Sequence, residues 1–439
     1  MATVSTSELA ASDRRVLWHP FTQHSAWELE PPLIIERARG TTLYDTDGRA
    51  YIDGVSSLWA NVHGHAHPHI DAAVRDQLDR MAHSTMLGLT HPPAIRLAER
   101  LLELAPDGLT RVFYSDSGST AVEVALKMAY QWWVQSEGAS EPSRRTTFIR
   151  LRHAYHGDTI GSVSLGGIDL FHACYGPLLF DSLQAEPGDA ADMQRLLAEH
   201  GDRVCAVVVE PLVQGAAGIL VHPPGYLRSV RELCDSYGVP LICDEVATGF
   251  GRTGRMFACE HEDVRPDLMC VAKGLTGGYL PLAATLATER IFEGFLGRGE
   301  EQRTFFHGHT YTGNPLACAA ALASLEVFAQ ERTLERLAPK IELLAAWLDE
   351  LVAPLVAVRA IRRRGFMCGI ELHDPSHTAQ TGHRVTLEAR RRGAIVRPLG
   401  DVIVLMPPLA IIEDELRRLV EITAESIGEV TGASLPATT

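Results

Sequence analysis

The stretch that decides the fold runs from Val239 to Gly254 and reads VPLICDEVATGFGRTG. Its first part, Val239–Cys243, is apolar, and such a short apolar run predicts a buried strand. Two carboxylates, Asp244 and Glu245, follow the predicted strand. Ligands bind at the carboxyl ends of parallel strands in α/β proteins, so these carboxylates are candidate site residues. A cap for a following helix is the alternative, but three glycines in the next ten residues disfavour a helix there.

Similar apolar runs lie on both sides of this stretch. The further predicted strands are Val112–Tyr114, Thr146–Leu151, Val204–Val209, Leu268–Ala272 and Leu282–Thr288. Helical periodicity occurs between them, over Thr120–Val134 and Tyr226–Tyr237. Near-continuous apolar strands separated by helices predict a mostly parallel α/β sheet that is covered on both faces.

The two ends of the chain predict a second, smaller unit. After residue 330 the pattern predicts a helix at Leu334–Val352, strands at Met367–Leu372, Ala394–Arg397 and Val402–Met406, and helices at Val385–Arg392 and Glu413–Val430. Short strands at Leu33–Glu36 and Thr42–Asp45 are expected to pack with that unit. We therefore predict a large domain over residues 61–330 and a smaller α/β domain built from residues 1–60 and 331–439.

Composition and charge exclude several classes of protein. The formal net charge of −15 makes the chain a poor candidate for binding nucleic acid or an anionic membrane. No run approaches 18 consecutive apolar residues, and residues 1–13 lack the pattern of a secretory signal. The eight cysteines include no Cys-x-x-Cys pair, and several lie in apolar runs. These features together predict a reduced, cytoplasmic protein.

A group of hydroxyl residues and a glycine, Ser115–Thr120, follows the predicted strand Val112–Tyr114 and opens a helix. The free N–H groups of a helix N-terminus attract anions, and Gly118 lets a ligand approach the backbone closely. A plain serine or threonine cap is the alternative. No lysine follows in the arrangement of an ATP-binding P-loop.

Lys273 follows the apolar strand Leu268–Ala272 directly. A lysine at a strand end normally extends to solvent, but burial there also lowers its pKa and suits Schiff-base chemistry. Asp244 lies 29 residues earlier, about one strand–connection–strand unit, so both side chains are expected at neighbouring strand ends.

Tyr155 lies in the segment His153–Thr159, beyond the predicted strand Thr146–Leu151. An aromatic ring beside a glycine can stack on a planar ligand, whereas an ordinary surface loop is the alternative. An anion site, a carboxylate, a strand-end lysine and a stacking ring are together what pyridoxal 5′-phosphate requires.

The segments that carry these features resemble the class III, fold-type I, pyridoxal-phosphate aminotransferases. They are Ser115–Met128, His153–Thr159, Asp244–Gly254, Lys273–Tyr279 and His307–Pro315. The resemblance covers about residues 15–430. Within the family, the chain is most similar to the 7,8-diaminononanoate synthases of biotin synthesis, over Leu17–Phe21, Ser56–Trp59, His63–His65, Phe305–Tyr311 and Arg397–Pro398.

The resemblance implies roles for individual residues. Lys273 resembles the lysine that binds the cofactor covalently and moves protons, and Asp244 the carboxylate that keeps the pyridine nitrogen protonated. The implied cofactor-binding residues are Gly118, Ser119, Tyr155, Asp244, Val246, Lys273, His309 and Thr310, with the last two supplied by the partner subunit of a homodimer. The implied substrate-binding residues are Phe21, Leu58, Trp59, Tyr155, Lys273, Gly308 and Arg397, the arginine for the substrate carboxylate.

The resemblance also implies the substrates, which are 8-amino-7-oxononanoate and an amino donor. Enzymes of this group that use S-adenosylmethionine typically have tyrosine where Phe21 stands and tryptophan where Leu58 stands. The sequence resembles instead the Bacillus-type branch that uses lysine. We therefore expect lysine above S-adenosylmethionine as donor.

Other functions remain as alternatives. An ω-amino acid:pyruvate or 4-aminobutyrate aminotransferase would share the cofactor site, and an aminomutase is a weaker alternative. The histidine-rich run from His63 to His69 raises the possibility of a metal hydrolase, but no carboxylate or cysteine cluster accompanies it and Pro68 interrupts it. We therefore predict no metal site.

Overall fold

The strands of the chain form a central sheet, two smaller sheets and a short hairpin. The computed structural model describes residues 5–30, 32–136, 143–373 and 380–432. The strands are β1 (Ile35–Arg39), β2 (Thr42–Asp45), β3 (Ala50–Asp53), β4 (Leu109–Ser115), β5 (Thr147–Leu151), β6 (Ser182–Ala185), β7 (Val204–Val209), β8 (Val213–Gln214), β9 (Leu220–Val221), β10 (Leu241–Asp244), β11 (Leu268–Val271), β12 (Ala283–Thr288), β13 (Val358–Arg364), β14 (Met367–Leu372), β15 (Ala394–Ile395), β16 (Arg397–Leu399) and β17 (Val402–Leu405).

Helices precede, connect and follow the strands along the chain. They are α1 (Thr6–Val16), α2 (His24–Trp27), α3 (Ser56–Trp59), α4 (Pro68–Arg80), α5 (Pro92–Leu104), α6 (Gly118–Ser136), α7 (Ile160–Ser164), α8 (Asp169–His172), α9 (Ala190–His200), α10 (Tyr226–Tyr237), α11 (Glu289–Glu293), α12 (Pro315–Gln330), α13 (Thr333–Trp347), α14 (Thr381–Arg391) and α15 (Glu413–Thr431). Among the described residues, no helix combines the length and apolarity that a bilayer crossing requires.

The central sheet has the strand order β4-β12-β11-β10-β7-β5-β6. Strands β11, β10, β7, β5 and β6 pair in parallel, whereas β12 pairs antiparallel with both β11 and β4. Every residue of β7, β10 and β11 is buried, as expected for strands covered on both faces. The predicted α/β class with a mostly parallel sheet is confirmed.

The antiparallel direction of β12 has a simple cause. Only 11 residues, Ala272–Leu282, connect it to β11, and that connection contains a short 3₁₀ turn rather than a crossover helix. A parallel neighbour would require a longer crossover, so the chain returns in the opposite direction.

The two ends of the chain meet in a separate pair of sheets. The first has the order β1-β2-β3-β15, and Ile52 of β3 lies opposite Ala394 of β15. The second has the order β13-β14-β17-β16. The domain boundaries near residues 60 and 330 stay predictions.

Two predicted elements differ in detail. The α-helix α13 ends at Trp347 and continues as a π-helical turn, Leu348–Val352, instead of running unchanged to residue 352. The predicted strand Ala394–Arg397 is two strands in different sheets, β15 and β16. Pro398 has no N–H to donate, which suits β16 to the sheet edge that it occupies.

Candidate active site

A cavity of about 710 Å³ lies at the carboxyl edge of the central sheet. Residues that follow β4, β5, β7, β10 and β11 line it, because the parallel strands end at the same edge. These residues include Gly118, Tyr155, Glu210, Asp244 and Lys273. The structure therefore brings four separately predicted features, namely the anion site, the aromatic ring, the carboxylate and the lysine, into one cavity.

The anion site is the N-terminus of α6, a helix that begins at Gly118 and continues to Ser136. A Cβ atom at Gly118 would lie 2.5 Å from Cγ1 of Val246, so only glycine fits there. Ser119 accepts a hydrogen bond at Oγ from the Thr159 N–H at 2.9 Å, and its Oγ lies 2.8 Å from Thr159 Oγ1. The Thr120 hydroxyl donates to Asp116 Oδ1 at 2.9 Å, and Thr120 is not among the residues that line the cavity.

Asp244 is buried at the end of β10 and both of its oxygens have partners. Its Oδ1 accepts the N–H of Val246 at 3.0 Å, and its Oδ2 lies 2.7 Å from Nδ1 of His156. Burial acts to lower the pKa of His156, but the hydrogen bond to Asp244 and its charge raise that pKa above the ordinary value. A protonated His156 places a positive charge and an N–H donor beside the Asp244 side chain.

Lys273 follows β11, the strand next to β10 in the sheet. Desolvation lowers the pKa of its amine, against the opposing influence of the Asp244 and Glu210 carboxylates. The residue has φ of +28°, a backbone conformation that costs energy in a residue other than glycine. Its Nζ lies 5.1 Å from the ring centroid of Trp59. The amine is therefore held in the cavity with its basicity reduced, as a nucleophilic lysine requires.

Tyr155 and Val246 line the cavity from different loops. The Tyr155 hydroxyl donates to Asp158 Oδ2 at 2.8 Å, and burial raises the pKa of that hydroxyl. Arg397 lies in β16, and its charge acts on the Tyr155 hydroxyl. Burial lowers the pKa of the Arg397 guanidinium. Arg397, the predicted carboxylate-binding arginine, is not among the residues that line the cavity.

Trp59 is buried and lines the cavity, whereas Leu58 beside it is 51% exposed. Both belong to α3, which is one turn of left-handed sense: φ is +51°, +48°, +75° and +71° from Ser56 to Trp59. Such a run costs roughly 1–2 kcal/mol per residue and requires external support. Ser56 Oγ supplies part of it by donating to the Met406 carbonyl at 2.7 Å.

Phe21 lies at the outer end of an aromatic series. Its ring centroid is 5.4 Å from that of Phe171, which is 6.3 Å from that of Tyr155. Phe21 is 60% exposed. Phe171 was not identified from the sequence, because nothing in the local pattern of α8 distinguishes it from an ordinary apolar residue.

Gly308, His309 and Thr310 lie outside the cavity that contains Lys273 of the same chain. They line a separate cleft of about 1080 Å³ together with Leu87 and Phe306, which are 89% and 79% exposed. His309 is nearest to the first cavity through Asp116, with 4.0 Å between Nε2 and Oδ1. The single chain therefore does not unite these three residues with the rest of the predicted site.

The further polar residues that line the cavity without having been assigned roles include His156, Thr159 and Glu210. Glu210 follows the apolar strand β7, as Asp244 ends β10, so the strand-end pattern could have identified it. His156 and Thr159 stand beside Tyr155 in sequence, but their partners lie on other elements and only the folded structure reveals them.

The histidine-rich run makes contacts of another kind. His63 Nε2 lies 3.1 Å from Ser324 Oγ, and His65 pairs with the buried Asp53 at 2.9 Å. His67 and His69 pair with glutamates at the end of α12 and beyond. Among the described residues, no group of three or more His, Cys, Asp or Glu side chains is arranged to hold a metal ion.

Known proteins share this sequence and architecture. A family model described as Aminotransferase class-III matches residues 24–427. An adenosylmethionine-8-amino-7-oxononanoate aminotransferase from Nitratidesulfovibrio vulgaris is 59% identical, over 98% of this chain and 83% of that protein. Further relatives that are 35% to 48% identical carry the same name.

Two solved structures extend the similarity to the fold. The crystal structure of an adenosylmethionine-8-amino-7-oxononanoate aminotransferase from Methanocaldococcus jannaschii has a TM-score of 0.93 and 43% identity, over 97% of this chain and 99% of that chain. An amine transaminase from an uncultivated Pseudomonas species, solved in its pyridoxal-phosphate-bound form, has a TM-score of 0.87 and 36% identity, over 94% and 98%.

Proposed function

Because the chain belongs to the class III aminotransferases and is a pyridoxal-phosphate-dependent enzyme, we propose that it converts 8-amino-7-oxononanoate to 7,8-diaminononanoate in biotin biosynthesis. The substrate assignment is supported by the relatives that carry this activity in their names at up to 59% identity. The observation that carries the chemistry is the cavity in which Lys273, Asp244 and the N-terminus of α6 meet.

The residues of the cavity fit the cofactor. The phosphate would bind at the N–H groups of Gly118 and Ser119, where a side chain at position 118 would collide with Val246. The pyridine nitrogen would meet Asp244, and the ring would lie between Val246 and the Tyr155 side. When bound, the cofactor supplies an electron sink that makes the hydrogen on the amine-bearing carbon of a substrate acidic.

The protein's part in the reaction is to hold and move protons. Asp244, which His156 Nδ1 contacts at 2.7 Å, would hold a proton on the ring nitrogen. Lys273 Nζ, with its lowered pKa, would remove the proton from the amine-bearing carbon of the donor and return one to the acceptor carbon. Buried walls such as Trp59 exclude water from these transfers.

The substrates would lie between the cofactor and the outer aromatic residues. Arg397 would bind the substrate carboxylate through its planar guanidinium. Trp59, Phe21 and Leu58 would contact the remainder of the substrate, and Gly308 would border the channel from the partner subunit.

For the amino donor, we propose S-adenosylmethionine. The names of the relatives specify adenosylmethionine, which argues against the preference for lysine that Phe21 and Leu58 suggested. Trp59 offers the aromatic face that attracts a sulfonium cation, an interaction worth about 0.5–2 kcal/mol. The residues at positions 21 and 58 therefore do not decide the donor.

We further propose a cytoplasmic homodimer with shared active sites. His309 and Thr310 line a cleft bordered by exposed apolar residues, and burying Leu87 and Phe306 against a second copy would remove that surface from water. A two-fold arrangement would direct His309 and Thr310 of each chain to the phosphate site of the other.

The test is a direct assay for the diamine. Purified enzyme with pyridoxal 5′-phosphate and 8-amino-7-oxononanoate is incubated with S-adenosylmethionine, with lysine, or with alanine, and 7,8-diaminononanoate is quantified. We expect the S-adenosylmethionine reaction to be the fastest. If the diamine forms with lysine but not with S-adenosylmethionine, the proposed amino donor is wrong. If the enzyme rapidly transfers amino groups between ω-amino acids and pyruvate but forms no diamine, the proposed role in biotin biosynthesis is wrong.

A further inference from the structure

Glu210 is a buried carboxylate to which the roles above assign no task. It follows β7, lines the cavity and is only 4% exposed. Because β7 pairs with β10, with Val209 opposite Cys243, Glu210 and Asp244 lie at neighbouring strand ends. Burying two carboxylates side by side is costly unless each has its own partners.

The partners of Glu210 are two backbone N–H groups from different loops. Its Oε1 accepts from Tyr155 at 3.2 Å and its Oε2 accepts from Gly215 at 2.9 Å. Tyr155 forms one wall of the cavity. Gly215 supports another, because a Cβ atom there would lie 3.0 Å from Cζ3 of Trp59. One side chain thus connects the two loops that support the aromatic residues Tyr155 and Trp59 of the cavity.

We propose that Glu210 is a positioning residue that sets the spacing between Tyr155 and Trp59, and so shapes the part of the cavity that receives the substrates. The proposal deepens the proposed function, because those two residues are assigned to substrate contact. Glu210 acts through the two loops and needs no contact with a substrate of its own.

The chemistry of the side chain explains why a carboxylate is needed. Two N–H donors require two acceptors, and a carboxylate provides both. A glutamine has the same shape but presents one oxygen and one NH₂ group, so one of the two loops would face a donor instead of an acceptor. Burial raises the pKa of Glu210 to about 7, whereas the hydrogen bonds from the Gly215 and Tyr155 N–H groups act in the opposite direction and favour the carboxylate.

Glu245 provides a matched control. It is also fully buried and accepts two backbone N–H groups, from Ala258 at 3.0 Å and Cys259 at 2.8 Å. Glu245 was a candidate site residue from the sequence, but neither it nor these two partners line the cavity, so Glu245 is not part of the site. Glu245→Gln therefore introduces the same chemical change at a site that supports a different loop.

The experiment compares the wild-type holoenzyme with Glu210→Gln and Glu245→Gln. Amide hydrogen exchange is followed in peptides that cover residues 152–158, 212–218 and 256–262, and KM and kcat are measured for both substrates. In Glu210→Gln, we expect exchange to rise about tenfold at Tyr155 or Gly215, and KM to rise about tenfold while kcat changes by less than about threefold. In Glu245→Gln, faster exchange should be confined to 258–259 and KM should stay within about twofold.

Unchanged exchange at both Tyr155 and Gly215 in Glu210→Gln, or an equal rise of KM in the two variants, would overturn the proposal. Glu210→Asp, which is one methylene shorter and reaches one loop at most, is the second variant should the glutamine variant not fold. A wild-type enzyme that makes no diamine would refute the proposed substrates, while the exchange comparison would still decide the role of Glu210.

Discussion

Lys273 shows how a residue's chemistry is set by its place in the sheet. It follows a strand whose residues are all buried, and desolvation lowers the pKa of its amine. The neighbouring strand contributes Asp244, which attracts the positive charge of the lysine without forming a direct ion pair within the described structure. The amine is therefore reactive and at the same time held in a site that binds an anionic cofactor.

Replacing this lysine gives the first prediction. Lys273→Ala should fold and still bind pyridoxal 5′-phosphate, because the side chain lies at a strand end and supports no other element. Amino transfer should fall at least about 100-fold, since a positioned proton donor and acceptor is lost. Borohydride treatment followed by mass spectrometry should attach the cofactor to Lys273 in the wild type and leave the variant unlabelled. A variant with wild-type turnover would contradict the assignment.

The residues of the candidate active site could be predicted from the sequence to different degrees. Lys273 and Asp244 could be identified because each ends an apolar strand, and a charge in that position is unusual. The pairing of Asp244 with His156 depends on the distance between two loops, 2.7 Å between side-chain atoms, and no local pattern encodes it. Ser119 was predicted as a phosphate ligand, but its neighbour Thr159 became apparent only from the folded structure.

At the scale of elements, the start of α6 is the most constrained point of the site. Gly118 lies where Val246 leaves no room for a Cβ atom, and the β-branched valine cannot easily turn away. The helix N-terminus and the loop after β10 therefore pack against each other directly. Their contact fixes the distance between the phosphate site at the start of α6 and Asp244, the carboxylate assigned to the cofactor ring.

The second prediction follows from this contact. Gly118→Ala should displace the start of α6 by several tenths of an ångström and raise the dissociation constant of pyridoxal 5′-phosphate about tenfold or more, because the N–H groups lose their alignment. Cofactor binding is measured by absorbance titration of the apo-protein. Gly176→Ala, where a Cβ atom would meet nothing within 4 Å, is the control and should bind as the wild type does.

The histidine-rich run yields a third prediction at the same scale. His63 is buried against Phe328 of α12, with 4.6 Å between ring centroids, and burial lowers its pKa to about 3. The unfolded chain binds a proton near pH 6.5 while the folded chain does not, so the free energy of unfolding falls as pH decreases below 6.5. Between pH 7.5 and 5.5, urea unfolding should show the wild type losing about 1 kcal/mol more than His63→Gln. His69 is more exposed and serves as the control. The free energy of unfolding of His69→Gln should fall over this pH range by as much as that of the wild type.

The sequence predicted every strand of the central sheet except β6, but it did not identify helices such as α4, α5, α9 and α12. The buried strands and α10 were predictable because periodicity and apolar length distinguish them. The direction of β12 was not, because it depends on the length and shape of the connection after Lys273. The left-handed turn from Ser56 to Trp59 has no glycine to indicate it. Contacts from distant parts of the chain, such as Met406, impose that conformation.

For the whole molecule, the fourth prediction concerns assembly. Phe306→Asp places a charge on a residue that is 79% exposed in the single chain and borders the cleft of His309 and Thr310. We expect it to yield a monomer by light scattering and to lose most activity, because each phosphate site would lack the partner's contribution. Val356→Asp, at a position that is 90% exposed in the smaller unit, is the control and should remain dimeric. A monomer with full activity would refute the shared active site.

The class of fold was the most predictable property of the whole molecule, because it is repeated in every strand and helix of the central region. Assembly was less predictable. The family resemblance implied that His309 and Thr310 serve another copy, but no local pattern of the sequence indicates it, and both residues lie outside the cavity that contains Lys273 of the same chain.

The pairing of β3 with β15 has a consequence for the order of events during synthesis. Asp53 leaves the ribosome early, but its sheet neighbour Ile395 is made roughly 340 residues later. At about 5–20 residues per second, the first strands wait about 20–70 s for the strand that completes their sheet. The nascent chain thus carries an unpaired strand edge through most of translation. This edge lies near the N-terminus, the part of the chain that chaperones contact first.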